Sequence, residues 1–486
     1  MKRNNEKGSA LIFALILLLV LSAMAGSLMF LSNSETFSSM NYRMMTEARY
    51  GAEAGVHAAA NFIMNTYVPP AACAGCNFNG FITNVYPVTD TNGNPIYLST
   101  LTTQSSNYPN GQMLAAFQDA MNANQPLQHG QNGANTVTYS ASAQLMSMVS
   151  ILPFGTTTPV TIQTWQITAH GDIANVQNGE AEVVTTLERY ISPAFAYAAF
   201  ADANGCASLS FSGNGTTDSY DSGALPVVGG MVSAPASFNA YGGNVGTNGN
   251  QTDNGSNPTI NGTLSTPNAG FGVCTVGNVT AFSGKNLNQI TGGLIQLPQA
   301  VSFPTPTIPP PGTTSVTSTQ TLAPGNYGDI TLAGSDVVTL TPGIYNINSI
   351  SITGNAQLVV APYPVGSPNA GQYGPIILNV AGNSNATPID LEGNGISNPT
   401  YNPGDLQILY AGTGTIKIAG NGSSAAVIYA PNSTADFKGN AAFYGSVIAN
   451  QLLDVGNGAI HYDMKLKKEM FTIGDYMLNS FTWNKY

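Results

Sequence analysis

The stretch KGSALIFALILLLVLSAMAGSLMFL, residues 7–31, decides how the chain is built. Its 22 residues from Ala10 to Leu31 carry no charge, and as a helix they would span about 33 Å, enough to cross a bilayer. Lys2, Arg3 and Lys7 precede the segment, and a basic flank of this kind stays in the cytoplasm. The sequence therefore predicts one membrane-spanning helix, with the rest of the chain exported.

The residues just before the apolar segment are unusual for an exported protein. An ordinary secretory signal has a shorter apolar core with a small-residue cleavage site behind it. Here the small-residue site, Gly8-Ser9, lies in front of the core. Cleavage after Gly8 would remove only a basic leader, residues 1–8, and leave the hydrophobic helix on the mature protein.

The helix is predicted to continue beyond the membrane, as one long helix over 9–66. Residues 38–66 contain no proline, and Pro69-Pro70 is a clear stop. Apolar residues recur every three or four positions, as on one face of a helix: Met40, Met44, Ala48, Ala52, Val56, Ala59 and Ile63. The alternative is a single membrane anchor followed by a stalk.

The composition excludes one class of partner and favours a β-rich remainder. Only 8% of residues are charged and the net charge is −11, which argues against nucleic acid because binding phosphates needs a basic surface. The chain is nevertheless 43% hydrophobic, with Val and Ile spread through its Gly/Asn-rich part. That mixture predicts many short strands joined by tight turns.

Residues 67–195 predict a small α+β region. A helix is expected near 111–124. Three strands are expected near 136–149, 161–173 and 180–191. They would form an antiparallel sheet on the polar half of the long helix. His129 and His170 have no evident partners in the sequence, and we interpret both as surface or structural residues.

From about residue 200, short apolar runs end at Gly-Asn corners. PGNY at 324–327 returns 18 residues later as PGIY at 342–345. Gly and Asn tolerate the positive φ that a tight corner needs. A repeat near 20 residues predicts a β-solenoid over 196–464. Whether residues 200–300 belong to the same solenoid as 316–463 stays open at this point.

Two segments differ from the repeats. The stretch PQAVSFPTPTIPPPG, 298–312, is too proline-rich for a core strand and is expected to cross the surface as an extended connector. Residues 465–486 are predicted to be a C-terminal tail. Lys465, Lys467 and Lys468 at its start would form a solvated edge that ends the solenoid.

The four cysteines are Cys73, Cys76, Cys206 and Cys274. An even number in an exported protein predicts disulfides. We expect the pairs Cys73–Cys76 and Cys206–Cys274, and the sequence leaves the other two pairings open. Cys73 and Cys76 also have the spacing of zinc ligands. No second CxxC or HxxxH completes such a site, so no metal is predicted.

Two N-terminal runs resemble the N-terminal domain of PilX-type minor pilins: KGSALIFALILLLVLSAMAG at 7–26 and MTEARYGAEAGVHAAANF at 45–62. The resemblance covers roughly residues 5–66. It implies that a prepilin peptidase cleaves after Gly8 and methylates the new N-terminal residue, Ser9.

One position departs from the major pilins. Their fifth mature residue is a glutamate that neutralises the N-terminal amine of a neighbouring subunit, whereas Phe13 stands at that position here. Some minor pilins similarly lack the glutamate, which suits a place at or near the filament tip.

The C-terminal half also resembles a known domain. VIYAPNSTADFKGNAAFYGSVIA at 427–449 and GNGAIHYD at 456–463 are similar to the β-helical domain often found behind PilX-type N-termini. The expected fold class is therefore α+β with a β-solenoid. It comprises a long N-terminal pilin helix, a small α+β pilin-like region and a C-terminal right-handed parallel β-helix.

Together these features predict a non-catalytic minor pilin or pilin-like subunit of a type IV pilus, without a cofactor. It would act in assembly priming or in adhesion near the filament tip. Expected partners are other major and minor pilins through the N-terminal helix, the prepilin peptidase, and a tip adhesin protein or surface glycan. The chain would cross the inner membrane once, with its C-terminus outside the cytoplasm, before it joins the pilus. The alternative is a membrane-anchored β-helix adhesin unrelated to pili.

A β-helix enzyme that degrades polysaccharides is a third hypothesis, since hydrolases of this kind need paired carboxylates on one face. The candidate pairs are Asp390/Glu392, Asp218/Asp221 and His461/Asp463. The first and last pairs are two residues apart and would share a strand face. We interpret the two carboxylate pairs as residues of turns or of the solenoid surface. No nucleophile motif accompanies His461 and Asp463, which we interpret as part of a capping element, so no catalytic residue is predicted.

Overall fold

The computed structural model describes residues 7–72, 78–123, 125–127, 136–174, 179–228, 231–255, 257–392, 394–419, 423–440 and 442–485. The chain forms two compact units. Unit 1 comprises Met1–Ser150, Val160–Tyr190 and Gly474–Tyr486, and unit 2 comprises Ile151–Pro159 and Ile191–Ile473.

The helices are α1 (Lys7–Asn65), α2 (Gly111–Asn122) and α3 (Leu466–Glu469). The strands up to the proline-rich segment are β1 (Tyr97–Ser99), β2 (Val137–Ile151), β3 (Val160–Ile173), β4 (Glu180–Pro193), β5 (Ala199–Ala201), β6 (Leu209–Phe211), β7 (Thr216–Tyr220), β8 (Val227–Val228), β9 (Met231–Val232), β10 (Val245–Thr247), β11 (Gln251–Asp253), β12 (Thr259–Ile260), β13 (Leu264–Thr266), β14 (Phe282–Ser283) and β15 (Leu294–Gln296). The later strands are β16 (Gln320–Leu322), β17 (Gly325–Asn326), β18 (Asp329–Leu332), β19 (Val337–Leu340), β20 (Gly343–Ile347), β21 (Ser349–Ile352), β22 (Gln357–Val360), β23 (Ile376–Val380), β24 (Ile389–Leu391), β25 (Ile396–Ser397), β26 (Leu406–Tyr410), β27 (Ile416–Ile418), β28 (Ser423–Gly439), β29 (Ala442–Gly456), β30 (Ala459–Asp463) and β31 (Phe471–Lys485).

In unit 1, the second half of α1 packs on a five-stranded sheet of order β1-β2-β3-β4-β31. The predicted apolar stripe of the helix is buried from Ala48 onward, whereas Met40 is 47% exposed. On β3, alternate side chains from Trp165 to Ala169 are fully buried, as the period of two predicts.

Glycines set the distance between α1 and the sheet. A methyl group at Gly171 of β3 would overlap the carbonyl oxygen of Ala48 and the amide nitrogen of Ala52. A methyl at Gly51 on the helix would lie 2.5 Å from Cγ1 of Val137. The helix can lie this close to β3 only because these positions have no side chain.

The fifth strand of this sheet comes from the far end of the chain. Residues 465–486, predicted as a tail, contain α3 and β31 in place of a free segment. The Thr185 hydroxyl of β4 donates to the Asn479 carbonyl at 3.0 Å, and Arg189 Nε donates to the Gly474 carbonyl at 3.3 Å. The edge of β4 is thereby covered, which removes an exposed row of unpaired backbone groups.

Unit 2 is built from three ladders of parallel strands. In spatial order, ladder A is β17, β20, β23, β26, β28, β29, β5, β10, β13 and β15. Ladder B is β18, β21, β24, β27, β28, β29, β6, β11 and β14. Ladder C has two runs, β16, β19, β22 and β25, then β28, β29, β30, β7 and β12. We call one passage of the chain through the ladders a rung.

The rungs do not stack in chain order. Strand β29, from the end of the 316–463 segment, pairs with β5, so that Val447 lies opposite Ala199. Strand β5 then pairs with β10 on its other side. Residues 199–297 therefore continue the same ladders as residues 316–463, which answers the question that the sequence left open.

This order requires a long return connection. Strands β15 and β17 lie at opposite ends of ladder A, and nine steps of ~4.8 Å between neighbouring strands make about 43 Å. Residues 298–312 contain no helix or strand. An extended chain of ~3.1 Å per residue covers this length within the segment between β15 and Val316.

Contacts of the proline-rich segment follow ladder A from its β15 end towards its β17 end. They are Val301 with Asn248 next to β10, Phe303 with Phe200 of β5, and Pro304 with Tyr429 of β28. The Tyr429 hydroxyl donates to the Pro304 carbonyl at 2.7 Å. The segment thus runs along the outside of ladder A as an extended connector.

Neutral amides line up where side chains face away from the core. Asn346 Nδ2 donates to Asn326 Oδ1 at 2.7 Å, and Asn379 Nδ2 donates to Asn346 Oδ1 at 2.9 Å, across successive rungs of ladder A. Asn457 makes similar contacts with Asn214 and Asn440 at a corner. Identical amides can stack at this spacing because each one both donates and accepts.

The long N-terminal helix followed by a β-rich region agrees with the predicted class. Helix α2 and strands β2 to β4 lie close to their predicted positions. The right-handed winding of a parallel β-helix over 196–464 stays a prediction.

We predict that Gly171→Ala destabilises unit 1 by about 3 kcal/mol or more, because the added methyl must push the backbone of α1 away from β3. Both tryptophans, Trp165 and Trp483, belong to unit 1, so tryptophan fluorescence during urea unfolding of the full chain in detergent reports on this unit. Gly111→Ala is the matched control, because a methyl there meets nothing within 4 Å. Equal stability of the two variants would contradict the close approach.

Candidate functional site

The first half of α1 is one long apolar surface. The segment is long and apolar enough to cross a membrane, and none of it is buried within the protein. Phe13, which stands where the major pilins have a glutamate, is 72% exposed. Gly8 and Ser9 lie in the first turns of the helix. An exposed apolar surface of this length needs a lipid bilayer or other helices around it.

The second half of α1 changes to a charged outer face. Arg43 Nε and Glu47 Oε1 are 2.8 Å apart, and Arg49 Nε and Glu53 Oε1 are 2.9 Å apart, both four residues apart on the helix. The Arg49 guanidinium also lies 4.2 Å from the centre of the Trp483 ring of β31. The helix therefore has an exposed apolar half and a half that packs on the sheet of unit 1.

Cys206 and Cys274 form a disulfide with a Cα–Cα distance of 5.6 Å. Cys206 lies between β5 and β6, and Cys274 lies between β13 and β14. The bond therefore joins two rungs that have the β10–β11 rung between them. Cys73 and Cys76 lie outside the described residues, so their pairing stays a prediction.

Asp390 and Glu392, the first candidate catalytic pair, share one cation. Lys417 Nζ is 3.9 Å from Asp390 Oδ2 and 3.7 Å from Glu392 Oε1. Lys417 lies opposite Asp390 on one side and opposite Asp436 on the other, in ladder B. Alternating charges on successive strands neutralise one another, which is a structural arrangement.

The residues of the other two candidate pairs are rearranged. His461 Nδ1 is 2.5 Å from Asp218 Oδ1 of the neighbouring strand β7, and the Phe238 ring stacks on the imidazole at 3.7 Å. Asp463 is buried and accepts from the backbone amides of Ser222 and Lys465. The expected pairing of His461 with Asp463 is therefore replaced by one with Asp218, which no local sequence signal could indicate.

Asp221 and His170 have local structural contacts. Asp221 Oδ1 accepts from the Gly223 amide at 2.9 Å and caps a short 3-10 turn. His170 Nε2 lies 3.0 Å from Glu182 Oε2 on the paired strand. His129 lies outside the described residues. Among the residues that the structure describes, no group of three or more His, Cys, Asp or Glu could hold a metal ion.

The three lysines after the last rung belong to ordered structure. Lys465 Nζ lies 3.2 Å from Glu469 Oε2, and Lys467 Nζ lies 5.4 Å from the centre of the Tyr462 ring. Lys467 and Lys468 are in the last turn of α3. These residues thus lead into β31, where a solvated end of the solenoid was expected.

A groove of about 490 Å³ lies on the outer side of ladder C. We call it the ladder C groove; its lining includes Met231, Gln357, Asn394, Asn398, Tyr401 and Tyr444. Phe443 is in the core, so its neighbour Tyr444 faces the opposite, outer side of β29. The hairpin of β8 and β9 contributes Met231 and Val232 to the lining.

Aromatic rings surround Tyr444. Its ring centre is 5.4 Å from that of Tyr401 and 5.5 Å from that of Tyr220, both edge to face, and 4.8 Å from that of His461. The Tyr220 hydroxyl donates to the Tyr401 carbonyl at 2.6 Å. Tyr401 has φ +52, a left-handed conformation that this contact helps to hold.

Residues 398–405 form a hydrogen-bonded loop beneath Tyr401. Asn398 Nδ2 donates to the carbonyls of Asn402 and Ala425, and the Thr400 hydroxyl donates to Asp405 Oδ2 at 2.6 Å. Asp405 is 8% exposed, and burial raises the pKa of its carboxyl to about 6. The loop thus fixes the position of Tyr401 through side chains that are themselves held.

The described residues that line the groove lie between positions 231 and 444, on separate strands and loops. No sequence motif joins them, so sequence reasoning missed the groove. A cluster of tyrosines and amides without charge was the only signal, and it becomes visible only when the rungs are stacked.

Two segments match known families. Residues 7–57 match the PilX N-terminal family, and residues 314–469 match a domain of unknown function (DUF7305). No curated protein matches the chain. Among solved structures, the competence-associated pilin ComZ from Thermus thermophilus is similar at 13% identity, with 91% of this chain and 97% of that chain covered and a TM-score of 0.30. That TM-score is too low to carry an argument.

We predict that Cys206→Ser with Cys274→Ser lowers the free energy of unfolding of unit 2 by about 2–4 kcal/mol, because the bond no longer restricts the unfolded chain. Amide hydrogen exchange on β5 and β13 in the full chain measures this loss. The Cys73→Ser, Cys76→Ser variant is the matched control and leaves this cross-link intact. Peptide mapping that joined Cys206 to Cys73 or Cys76 would refute the pairing.

We also predict a pH dependence that originates in Asp405. Its pKa is raised from 3.8 to about 6 in the folded protein, so the folded state binds the proton more tightly than the unfolded chain. This group therefore stabilises unit 2 as the pH falls from above 6 to below 4, by at most about 3 kcal/mol, and the stabilisation is lost as the pH rises through 6.

The measurement compares hydrogen exchange of unit 2 in the wild type and in Asp405→Asn at pH 4 and pH 7. The stability of the variant relative to the wild type should be higher at pH 7 than at pH 4. An effect of Asp405→Asn on stability that does not depend on pH would contradict the raised pKa of Asp405.

Proposed function

We propose that this chain, a PilX-type minor pilin by its N-terminal segment, is incorporated into a type IV pilus or a related filament and acts near the tip. Incorporation would use α1, and unit 2 would be displayed for adhesion or would prime assembly. The role is structural and needs no catalytic residue.

The observation that carries this proposal is the division of α1 into two halves. One half is apolar, uncharged and exposed, and the other is packed on the sheet of unit 1. The match to the PilX N-terminal family, residues 7–57, includes the whole apolar half and part of the packed half. The apolar half suits the membrane before assembly and a bundle of pilin helices afterwards, because both surround it with apolar groups. The basic residues before it favour a single-pass orientation with the C-terminus outside the cytoplasm.

Processing would occur between Gly8 and Ser9, by a prepilin peptidase that also methylates Ser9. Phe13 supplies no carboxylate for the amine of a neighbouring subunit, which is consistent with a subunit that is added once, near the tip. A disulfide between Cys206 and Cys274 suits an oxidising compartment outside the cytoplasm.

We further propose that unit 2 winds as a right-handed parallel β-helix. The parallel pairing of all three ladders supports this reading. Parallel strands that follow one another in a sheet are connected with right-handed geometry in the great majority of proteins. A unit with more than half of the chain is too large to pack at every position of a thin filament, which favours a minor subunit.

We predict that Gly8→Leu blocks removal of the leader and prevents incorporation into filaments, because the larger side chain occupies the cleavage position. Intact-mass spectrometry should find a methylated N-terminus at Ser9 in the wild type and residues 1–8 retained in the variant. Immunoblots of sheared filaments should lose the variant.

Gly26→Ala is the matched control for this experiment. Gly26 lies in the same apolar half of α1, and a methyl there meets nothing within 4 Å. This variant should be cleaved and incorporated like the wild type. A mature N-terminus at another residue, or a freely secreted wild-type protein, would refute the pilin role.

A further inference from the structure

We propose that the ladder C groove binds an uncharged oligosaccharide. This inference rests on the proposed function, in which unit 2 is displayed at the surface. It deepens that function by naming the site and the chemical class of its ligand.

The described lining of the groove is uncharged. Among the described residues that line it, none is Asp, Glu, Lys, Arg or His. Two buried carboxylates lie nearby and both are engaged: Asp405 by Thr400 and Asn402, and Asp463 by the backbone amides of Ser222 and Lys465. A charged ligand would leave its hydration shell without an opposite charge to meet, so the groove selects a neutral ligand.

The polar groups of the groove match hydroxyls. Gln357 and Asn394 both line the groove. Within the described part of the chain, their side-chain amides have no hydrogen-bond partner. An amide offers donors and an acceptor side by side, and a sugar hydroxyl both donates and accepts. By contrast, the Asn398 amide is occupied by the loop and serves to hold it.

The aromatic groups match the apolar face of a sugar ring. Tyr401 and Tyr444 both line the groove; Tyr401 is partly exposed, and Tyr444, which is 8% exposed, packs edge to face against it. Aromatic rings present a flat apolar surface with a polar edge, against which the C–H face of a pyranose packs. Both rings are fixed by neighbours before any ligand arrives, and such preorganisation lowers the entropic cost of binding.

The floor of the groove argues against a peptide strand. An extended peptide binds most readily by pairing with an exposed strand edge. Strand β29 already pairs with β28 on one side and with β30 on the other over this region. Where ladder C is interrupted between β25 and β28, side chains engage the backbone: the Ile396 amide donates to the Ser424 hydroxyl, and the Ala425 carbonyl accepts from the Asn398 side chain. The volume of about 490 Å³ lies in the range of small-molecule sites and suits two or three sugar residues.

The test uses the full chain in a detergent without a sugar headgroup. Isothermal titration calorimetry would compare neutral tetrasaccharides (cellotetraose, maltotetraose, mannotetraose and chitotetraose) with an acidic one, tetragalacturonate, and with a tetrapeptide of uncharged residues. We expect at least one neutral tetrasaccharide to bind and the acidic sugar and the peptide not to bind.

The variants locate the site. Tyr401→Asn removes the ring but keeps a residue that tolerates positive φ, and should raise Kd about tenfold or more. Gln357→Ala and Asn394→Ala should each raise Kd about fivefold, as the loss of one hydrogen bond implies. Tyr373→Ala is the matched control, because Tyr373 is 38% exposed and lies outside this groove.

Three outcomes overturn the proposal: no neutral sugar binds at millimolar concentration, binding is unchanged in the groove variants, or the acidic sugar or peptide binds in place of the neutral one. Circular dichroism of each variant shows whether a loss of binding reflects unfolding. Filament incorporation is measured separately on the Gly8 variant, so the groove and the pilin role can fail independently.

Discussion

The pairing of β29 with β5 is the contact on which unit 2 depends. Every strand inside a parallel ladder needs a partner on both sides, because an unpaired row of backbone groups is costly and prone to aggregation. Without this contact, residues 199–297 and 316–463 would form two short stacks with four open ends. With the β29–β5 pairing, the two segments share one hydrophobic core cluster that runs from Phe195 to Met470. Both segments line the ladder C groove, since Met231 belongs to the first segment and Tyr444 to the second. The step that closes the fold therefore also assembles the candidate binding site.

The low charge of the chain follows from the same stacking. Side chains at equivalent positions of successive rungs lie about 4.8 Å apart, so a repeated charge would meet itself at every step. The amide ladder of Asn326, Asn346 and Asn379 avoids this because amides pair with their own kind. Where charges do stack, as at Asp390, Lys417 and Asp436, their sign alternates. A polar surface without charge can recognise a ligand only through hydrogen bonds and through contacts with the faces of aromatic rings.

Local patterns in the sequence predicted α1, α2 and strands β2 to β4, because each rests on a period or a turn signal within a few residues. The return of strands every 20 residues or so was equally visible in 316–463. The order in which the rungs stack could not be predicted from the sequence. The pairing of Val447 with Ala199 joins residues far apart in the chain, and no repeat in the sequence indicates it. For the same reason His461 was paired with Asp463 on its own strand, whereas the structure pairs it with Asp218. The C-terminal residues were read as a tail because their role in the sheet depends on β4, which lies before unit 2 in the chain.

The main segment of unit 2, Ile191–Ile473, begins within β4 and ends within β31, and these two strands are neighbours in the sheet that otherwise belongs to unit 1. An insertion between adjacent strands leaves the host sheet intact, because both connections leave from the same edge. The insertion also determines when the sheet can be completed: β31 can join β4 only after the whole of unit 2 has been synthesised. Arg49 of α1 lies over Trp483 of β31, so the helix gains this contact only at that stage. A truncated chain therefore lacks both the edge strand and the ring beneath Arg49, and α1 is fully supported only in a subunit whose large β-rich unit is already complete.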